Sequence, residues 1–430
     1  MNPFHYFQRF AALVAWLAFA GLASAGPYSA AFNDPTNAYD APVPGFIGPD
    51  GIGKASVFGY DADFNPIVIN DRNYVNPLFF GWAESISKYV PAGGVGAYGI
   101  PSRALGSVTG DYTDVVSLGD LTPTQTTPGY ITLVTAPIRN LPGADFAVFE
   151  NAFSSGSATF AELAYVEVSS DGVNFARFPS ISLTSAPVST YGFLDATNVF
   201  NLAGKHANNA IYSDSKCWGT PFDLSALATN PLVLAGTLNL NNVRYVRIVD
   251  IPGGGSYLDS AGHAIYDPAD TANYGSAAGF DLEALGVIST MRTFAEWASL
   301  MATDADGNAD PDFDGATNLV EFACGMEPGI PDAARLPKAE RIGSDVAISF
   351  RRDTRTADVT IEVLGSANLQ GWQVIARSVN GGSLLAVSPF SPVIDDASDS
   401  DIASVGVIRR EKVHAPAGMR FLKLQVRISP

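Results

Sequence analysis

Between Asp310 and Glu321 the chain reads Asp-Pro-Asp-Phe-Asp-Gly-Ala-Thr-Asn-Leu-Val-Glu. Side-chain oxygens recur at Asp310, Asp312, Asp314, Asn318 and Glu321, and Ala316 offers a main-chain carbonyl between them. That spacing suits a loop wrapped around Ca2+, a hard cation that takes six to eight oxygens at ~2.4 Å. Alternate residues must turn inward to share one centre, and Gly315 permits the sharp bend with positive φ. Glu321 then closes the sphere with both carboxylate oxygens from the first turn of a following helix. Asp310, Asp312, Asp314, Ala316, Asn318 and Glu321 are therefore the expected Ca2+ ligands. The competing reading is a solvated acidic turn, because Asp and Gly are common in turns of any kind.

The flanks favour the ion. Thr293-Phe294-Ala295-Glu296 is a capping box, and the helix it opens sets Phe294, Trp297 and Leu300 on one face. After the loop, Leu319, Phe322 and Ala323 form a short apolar stripe, and Gly325 stands where a helix C-cap belongs. Upstream, Asp304, Asp306 and Asn308 make a partial second loop whose Gly307 is out of place. Extracellular modules bind Ca2+ at ~10⁻⁴–10⁻³ M, so such a site stays filled outside a cell and acts as a structural joint.

Export is read from the N-terminus. Arg9, the apolar stretch Phe10–Ala20 and Ala23-Ser24-Ala25 have the order of a cleaved signal peptide over residues 1–25. No second apolar run is long enough to span a bilayer, so no membrane span is expected after cleavage. Net charge is −18, and loss of Arg9 with the leader makes it −19. That balance argues against nucleic acid, whose phosphates call for Lys and Arg. Hydrophobic residues make up 47% and charged residues only 16%, with many Gly, Pro, Ser and Thr, which points to short strands joined by turns.

Three blocks follow the leader. Residues 26–289 are β-rich, with an irregular Pro/Gly lead-in to about residue 55; residues 290–335 are the helical calcium linker; residues 336–430 return to strand-like alternation. In the first block Tyr165–Val168 and Val173–Phe178 flank an Asp171-Gly172 turn, a strong hairpin signal. Ile131–Val134, Phe146–Phe149, Val243–Val249 and Phe280–Leu285 read as further strands, with Arg244 and Arg247 on opposite faces. A helix is expected near Pro77–Lys88, carrying Phe79, Phe80 and Trp82. No helical crossovers separate the strands, so an antiparallel sandwich is expected. In the last block Trp372 is expected in the core.

The series Ala104-Leu105-Gly106, Asp114–Gly119, Ile131-Thr132-Leu133, Val166–Phe175 and Arg244–Ile248 resembles, in order, the strands of galactose-binding-like (discoidin-type) domains. Asp145–Phe153 and Gly279–Val287 resemble segments of exported bacterial cell-surface proteins. The resemblance covers residues 55 to 289 and implies an eight-stranded jelly roll that binds glycans, lipids or cell surfaces through loops at one end. The chain departs from that group in lacking a C-terminal anchor helix and in carrying about thirty extra residues between Asp250 and Phe280. Residues 290–335 resemble thrombospondin type 3 and dockerin-type calcium loops. The whole chain is thus expected to be mostly β: a jelly-roll β-sandwich, a short helical calcium-binding linker and a small fibronectin-like β-sandwich.

Weaker constellations complete the reading. The insertion gathers Asp250, Tyr257, Asp259, His263, Tyr266 and Asp267 around a glycine run. It is read either as a ligand loop, tyrosines stacking on sugars and acids holding hydroxyls or a second Ca2+, or as a loop pinned by its own Asx turns. Glu150, Glu162, Glu167, Asp281 and Glu283 are candidates for the paired carboxyls of glycoside hydrolysis. No nucleophile motif or His-Glu-x-x-His occurs, Gly51–Lys54 reads as a turn, and Cys217 and Cys324 either pair or lie buried apart. The leading expectation is a secreted or cell-surface, non-catalytic protein that binds an extracellular glycan or another surface polymer. A polysaccharide hydrolase and a purely structural matrix protein are the alternatives.

Overall fold

The computed structural model describes residues 26–32, 40–49, 51–55, 59–60, 66–67, 73–209, 216–268, 279–301, 303–331, 333–343, 345–398 and 407–429. The expected leader lies outside them, as do residues 269–278 of the Asp250–Phe280 insertion. The fold is mostly β, built as two antiparallel sandwiches with a helical segment between them. No helix among the described residues is long and apolar enough to cross a membrane.

In the large sandwich one sheet runs in the order Val43–Pro44, Trp218–Phe222, Phe146–Glu150, Asp281–Val287, Gly81–Trp82, and Val116–Ser117 also pairs with Asp281–Val287. The facing sheet runs Ala176–Arg177, Ala164–Ser169, Val243–Asp250, Tyr130–Ile138, Ser85–Val90. Successive long strands alternate between the sheets, as in a jelly roll: 130–138, 146–150, 164–169, 218–222, 243–250, 281–287. Every strand pair in both sheets is antiparallel. Between them sit Phe146, Phe178 and Phe222, with Phe146 and Phe222 stacked at 5.3 Å. Burying one such side chain is worth ~1.5–3 kcal/mol.

The expected hairpin is present, with Val168 opposite Ala176. Asp171 ties its turn by accepting from the amides of Val173 and Asn174, each at 2.8 Å, and Gly172 takes φ 75°. The expected helix at Pro77–Lys88 is not there: Gly81–Trp82 and Ser85–Val90 are strands. Pro77 and Gly81 interrupt helical continuity, and Ser85-Ile86-Ser87-Lys88-Tyr89-Val90 has the β-branched content of an edge strand.

Phe146–Glu150 is buried along its whole length because both faces of its sheet are covered. Phe146 and Val148 face the sandwich interior, whereas Ala147 and Phe149 pack outward against Val43, Phe46, Ala55, Leu78 and Phe79. The lead-in is therefore the lid of the outer face. Gly45 shows how close the approach is: a Cβ there would stand 2.8 Å from Cys217 Sγ. Cys217 and Cys324 are both free and buried.

The small sandwich pairs Lys338–Ile342, Asp345–Asp353, Ile408–His414 and Ile394–Ser398 against Leu385–Ala386, Gln373–Val379, Val359–Ser366 and Phe421–Ile428. Trp372 is half-buried under the Lys423 ammonium, 4.7 Å from the ring centre, and does not lie in the core. The helices α1 (Pro231–Leu234), α2 (Phe294–Leu300) and α3 (Asn318–Cys324) are short. Helices α2 and α3 share a core with the small sandwich: Phe294, Trp297, Phe322, Ile348, Ile361 and Val413 belong to one cluster, and Phe80 of the large sandwich joins it. Leu300 is 38% exposed, and Ala298 takes the inward place expected of it. At 100° per residue, Ala298 lies nearer to Phe294 on the helix wheel than Leu300 does.

A buried polar seam crosses the joint. Arg355 is held by Asp353 through Nε–Oδ1 at 2.8 Å and Nη2–Oδ2 at 2.6 Å. It also donates to the carbonyls of Leu78 and Ile288 and lies 3.8 Å from the Phe80 ring centre.

Candidate metal centre

The loop after α2 begins with two Asx turns. Asp304 Oδ1 accepts from Asp306 N and Asp306 Oδ1 from Asn308 N, each at 2.9 Å. These exposed carboxylates shape the turns, and the carbonyls of Asp304 and Asp306 accept from Asn318 Nδ2 at 2.9 and 3.4 Å. The partial second loop is thus a brace for the first turn of α3.

The main loop then curls on itself. Asp310 Oδ2 accepts from Gly315 N at 3.1 Å, Asp312 Oδ1 from Asp314 N at 3.2 Å, and Asp314 Oδ1 from Ala316 N at 2.7 Å. Gly315 takes φ 96°, as the bend requires. Phe313 takes φ 60° with its ring 90% exposed, a strained backbone for a bulky residue and one that the sequence reading did not foresee. Asp310, Asp312 and Asp314 bring ligand atoms within 4.8 Å of one another. An ion ~2.4 Å from each can reach oxygens separated by that much.

Glu321 comes up beneath them. It is fully buried in α3, and neither carboxylate oxygen has a hydrogen-bond partner. Asp310 Oδ1, Asp312 Oδ2 and Asn318 Oδ1 are likewise buried and unpartnered. Burial, followed by the charges of Asp312, Asp314 and Asp310, pushes the Glu321 carboxyl up to about 8. An unpartnered buried carboxylate beside three others is costly unless a cation joins them. Ala316 is buried at the position expected to offer its carbonyl.

The acids of the large sandwich divide into two kinds. Glu167 is bridged by Arg177 and Arg247, at 2.9 and 2.6 Å. Glu283 accepts from Thr109 N, Thr109 Oγ1 and Gly110 N at 2.5–2.7 Å, and from Asn208. Both are structural fixtures. Glu150, Glu162 and Asp281 are different: they meet at one rim of the sandwich, where Asp250 and Asp267 of the insertion join them. Burial and the neighbouring carboxylates raise Glu150, Glu162 and Asp250 well above the usual range, and burial takes Asp281 to about 6. Asp120, which the sequence reading passed over, is one of the charges acting on Asp250.

The insertion does not hold its six candidates as one site. It forms a hairpin, Gly254–Leu258 with Ala264–Tyr266, with the Tyr266 ring lying against Gly255. Asp259 pins the turn: Oδ1 accepts from Ala261 N and His263 N at 2.8 Å, and Oδ2 from Ser182 N at 2.9 Å and lies 2.9 Å from His263 Nδ1. Tyr257 and Tyr266 are half-buried. Asp250 and Asp267 point the other way, into the rim.

Near that rim a cavity of about 340 Å³ is lined by Arg103, Thr109, Asp111, Thr113 and Asp114. No protein-family model, no curated protein and no solved structure matches this chain.

Proposed function

We propose that this chain is an exported, non-catalytic binding protein of the galactose-binding-like kind, whose two sandwiches are locked together by Ca2+ at Asp310, Asp312, Asp314, Ala316, Asn318 and Glu321. The observation that carries the calcium assignment is Glu321: a fully buried carboxylate with two unpartnered oxygens, set under three aspartates whose ligand atoms lie within 4.8 Å. Because α3 packs into the core shared with Phe80, Trp297 and Ile348, an ion that holds the loop also holds the seam between the sandwiches.

The polymer-binding part rests on the cavity beside the rim. Arg103 offers donors, and Asp111 and Asp114 offer acceptors, as a hydroxyl-rich unit such as a sugar residue requires. Calorimetric titration of the mature protein with Ca2+, repeated on Glu321→Gln, tests the ion; binding to the wild type and a flat trace for the variant are expected. A glycan array read for wild type and Arg103→Ala tests the ligand, and equal binding by both proteins removes the cavity from the account.

A further inference from the structure

Six carboxylates converge at the end of the large sandwich away from the loop. Strand register places them there: Ala164 lies opposite Asp250, Glu150 opposite Leu282, and Asp281 opposite Ser117. Glu162 precedes Ala164, Asp267 follows the hairpin strand Ala264–Tyr266, and Asp120 follows Val116–Ser117. All six are at least nine-tenths buried. Strand Asp281–Val287 leads from this rim toward Ile288 and the Arg355 seam, a run of about 20 Å.

Each of the central acids has one oxygen fastened. Ala152 N donates to Glu150 Oε2 at 2.9 Å, Phe280 N to Asp250 Oδ1 at 2.8 Å, and Asn151 Nδ2 to Asp281 Oδ2 at 3.3 Å. The second oxygen of each, Glu150 Oε1, Asp250 Oδ2 and Asp281 Oδ1, is buried and has no partner. These acids are neighbours through the backbone: Phe280 N, beside Asp281, donates to Asp250, and Glu150 lies opposite Leu282, the residue after Asp281.

Elsewhere some buried acids are matched by the chain's own cations, Lys205 on Asp40, Arg352 on Glu411 and Arg355 on Asp353, and others are held by neutral donors, Glu283 by Thr109, Gly110 and Asn208 and Asp145 by the amides of Leu141 and Leu224. At the rim the charges acting most strongly on Glu150, Glu162 and Asp250 are other carboxylates. Backbone amides meanwhile hold one oxygen of Glu150 and of Asp250, which favours the ionised form. Among the described residues the leading charges acting on these three acids include no Lys or Arg, so a cation from solution would balance them where they are ionised.

We infer that the rim is a second cation site, in which Glu150, Asp250 and Asp281 hold a divalent ion that keeps part of its own water. The water follows from spacing. Among the described residues only the loop aspartates form a trio with ligand atoms within 4.8 Å, so three rim acids do not share one direct shell. A hydrated ion bound through one or two carboxylates is the habit of Mg2+, and Ca2+ also accepts water among its ligands.

Native mass spectrometry of the metal-stripped full chain, reloaded with Ca2+ or with Mg2+, counts the ions. Wild type is expected to take two Ca2+, Glu321→Gln one, and Asp281→Asn one; with Mg2+ the rim alone is expected to fill. The inference is overturned if Glu321→Gln takes none, or if folded Asp281→Asn keeps the wild-type number. Failure of the loop reading looks different: wild type and Glu321→Gln would each take one ion. If Asp281→Asn does not fold, the Glu321→Gln count decides.

Discussion

The two acidic centres of this protein solve opposite problems. In the loop, three half-buried aspartates and one buried glutamate come from twelve consecutive residues, and their turns are made by their own backbone amides. At the rim, six acids come from positions 120 to 281 and meet only because two sheets are folded correctly. The loop can assemble locally, and in the proposed reading the ion holds it against the sandwich. The rim is assembled by the sandwich, and in the proposed reading the ion balances its charge. A third class, buried acids matched by Arg or Lys of the chain, supplies the control: their counter-charge is covalently present. An acid matched within the chain should be costly to neutralise at any calcium level, whereas one matched from solution should be costly to neutralise only when the ion is supplied.

The largest effect is expected in the control class. Asp353→Asn removes a bidentate partner from Arg355, which stays buried against Phe80 and the Leu78 and Ile288 carbonyls. Breaking such a pair from one side costs ~3–5 kcal/mol. Urea unfolding in calcium and in EGTA should show the same loss; a loss seen only in calcium would place Asp353 in the loop's class.

Glu321→Gln comes next. With Ca2+ at one hundred times its dissociation constant, the ion adds ~2.7 kcal/mol to wild-type stability, and the variant should forgo it. In EGTA the variant should melt no lower than wild type, because the amide is neutral, as is a carboxyl pushed up to about 8 at pH 7, so neither adds charge beside Asp310, Asp312 and Asp314. Scanning calorimetry in both buffers gives the two numbers.

How legible these centres were follows from the same contrast. The bend of the loop could be read because Asx turns and a glycine with positive φ are local signals, and the Thr293–Glu296 capping box marked the helix before it. The strands of the hairpin could be read because alternation and Asp171-Gly172 are local signals. Rim acids were visible only as separate candidates: nothing in the spacing of Glu150, Glu162 and Asp281 sets them apart from Glu167 and Glu283, since partners such as Arg247 and Thr109 arrive from distant strands. The Pro77–Lys88 segment was misread because its aromatic residues suit a helix face as well as a strand. What decided it was pairing of Ser85–Val90 with Tyr130–Ile138, a tertiary contact. Phe313 carried no signal at all, because its positive φ is imposed by the loop and not preferred by the residue.

The pH dependence without calcium should be smaller, per pH unit, than the effect of either mutation. The Glu321 carboxyl is pushed up to about 8 in the fold, above its ordinary 4.5. A raised carboxyl stabilises the fold while protonated, so its contribution is complete below 4.5 and is lost as pH rises through 8. In EGTA the stability should therefore decline between those limits, by no more than ~1.4 kcal/mol per pH unit from this one group, and the melting temperature should fall with it. Calcium should reverse the trend, since the ion takes the place of the proton, and Glu321→Gln should flatten it. A wild-type slope in EGTA that survives Glu321→Gln would assign the proton to other buried acids.

The smallest effect tests where the loop ends. Asp306 lies four residues before Asp310 and shares its residue type, yet its carboxylate serves Asn308 N and its carbonyl serves Asn318. Replacing it with alanine removes one exposed turn contact and leaves the carbonyl in place, so stability should change by no more than ~0.5 kcal/mol. Calcium affinity by titration should be unchanged, because none of the six ligands loses its support. A tenfold loss would mean that the upstream turn supplies an oxygen to the ion, and the calcium centre would then extend back toward α2 and away from the local pattern that made it readable.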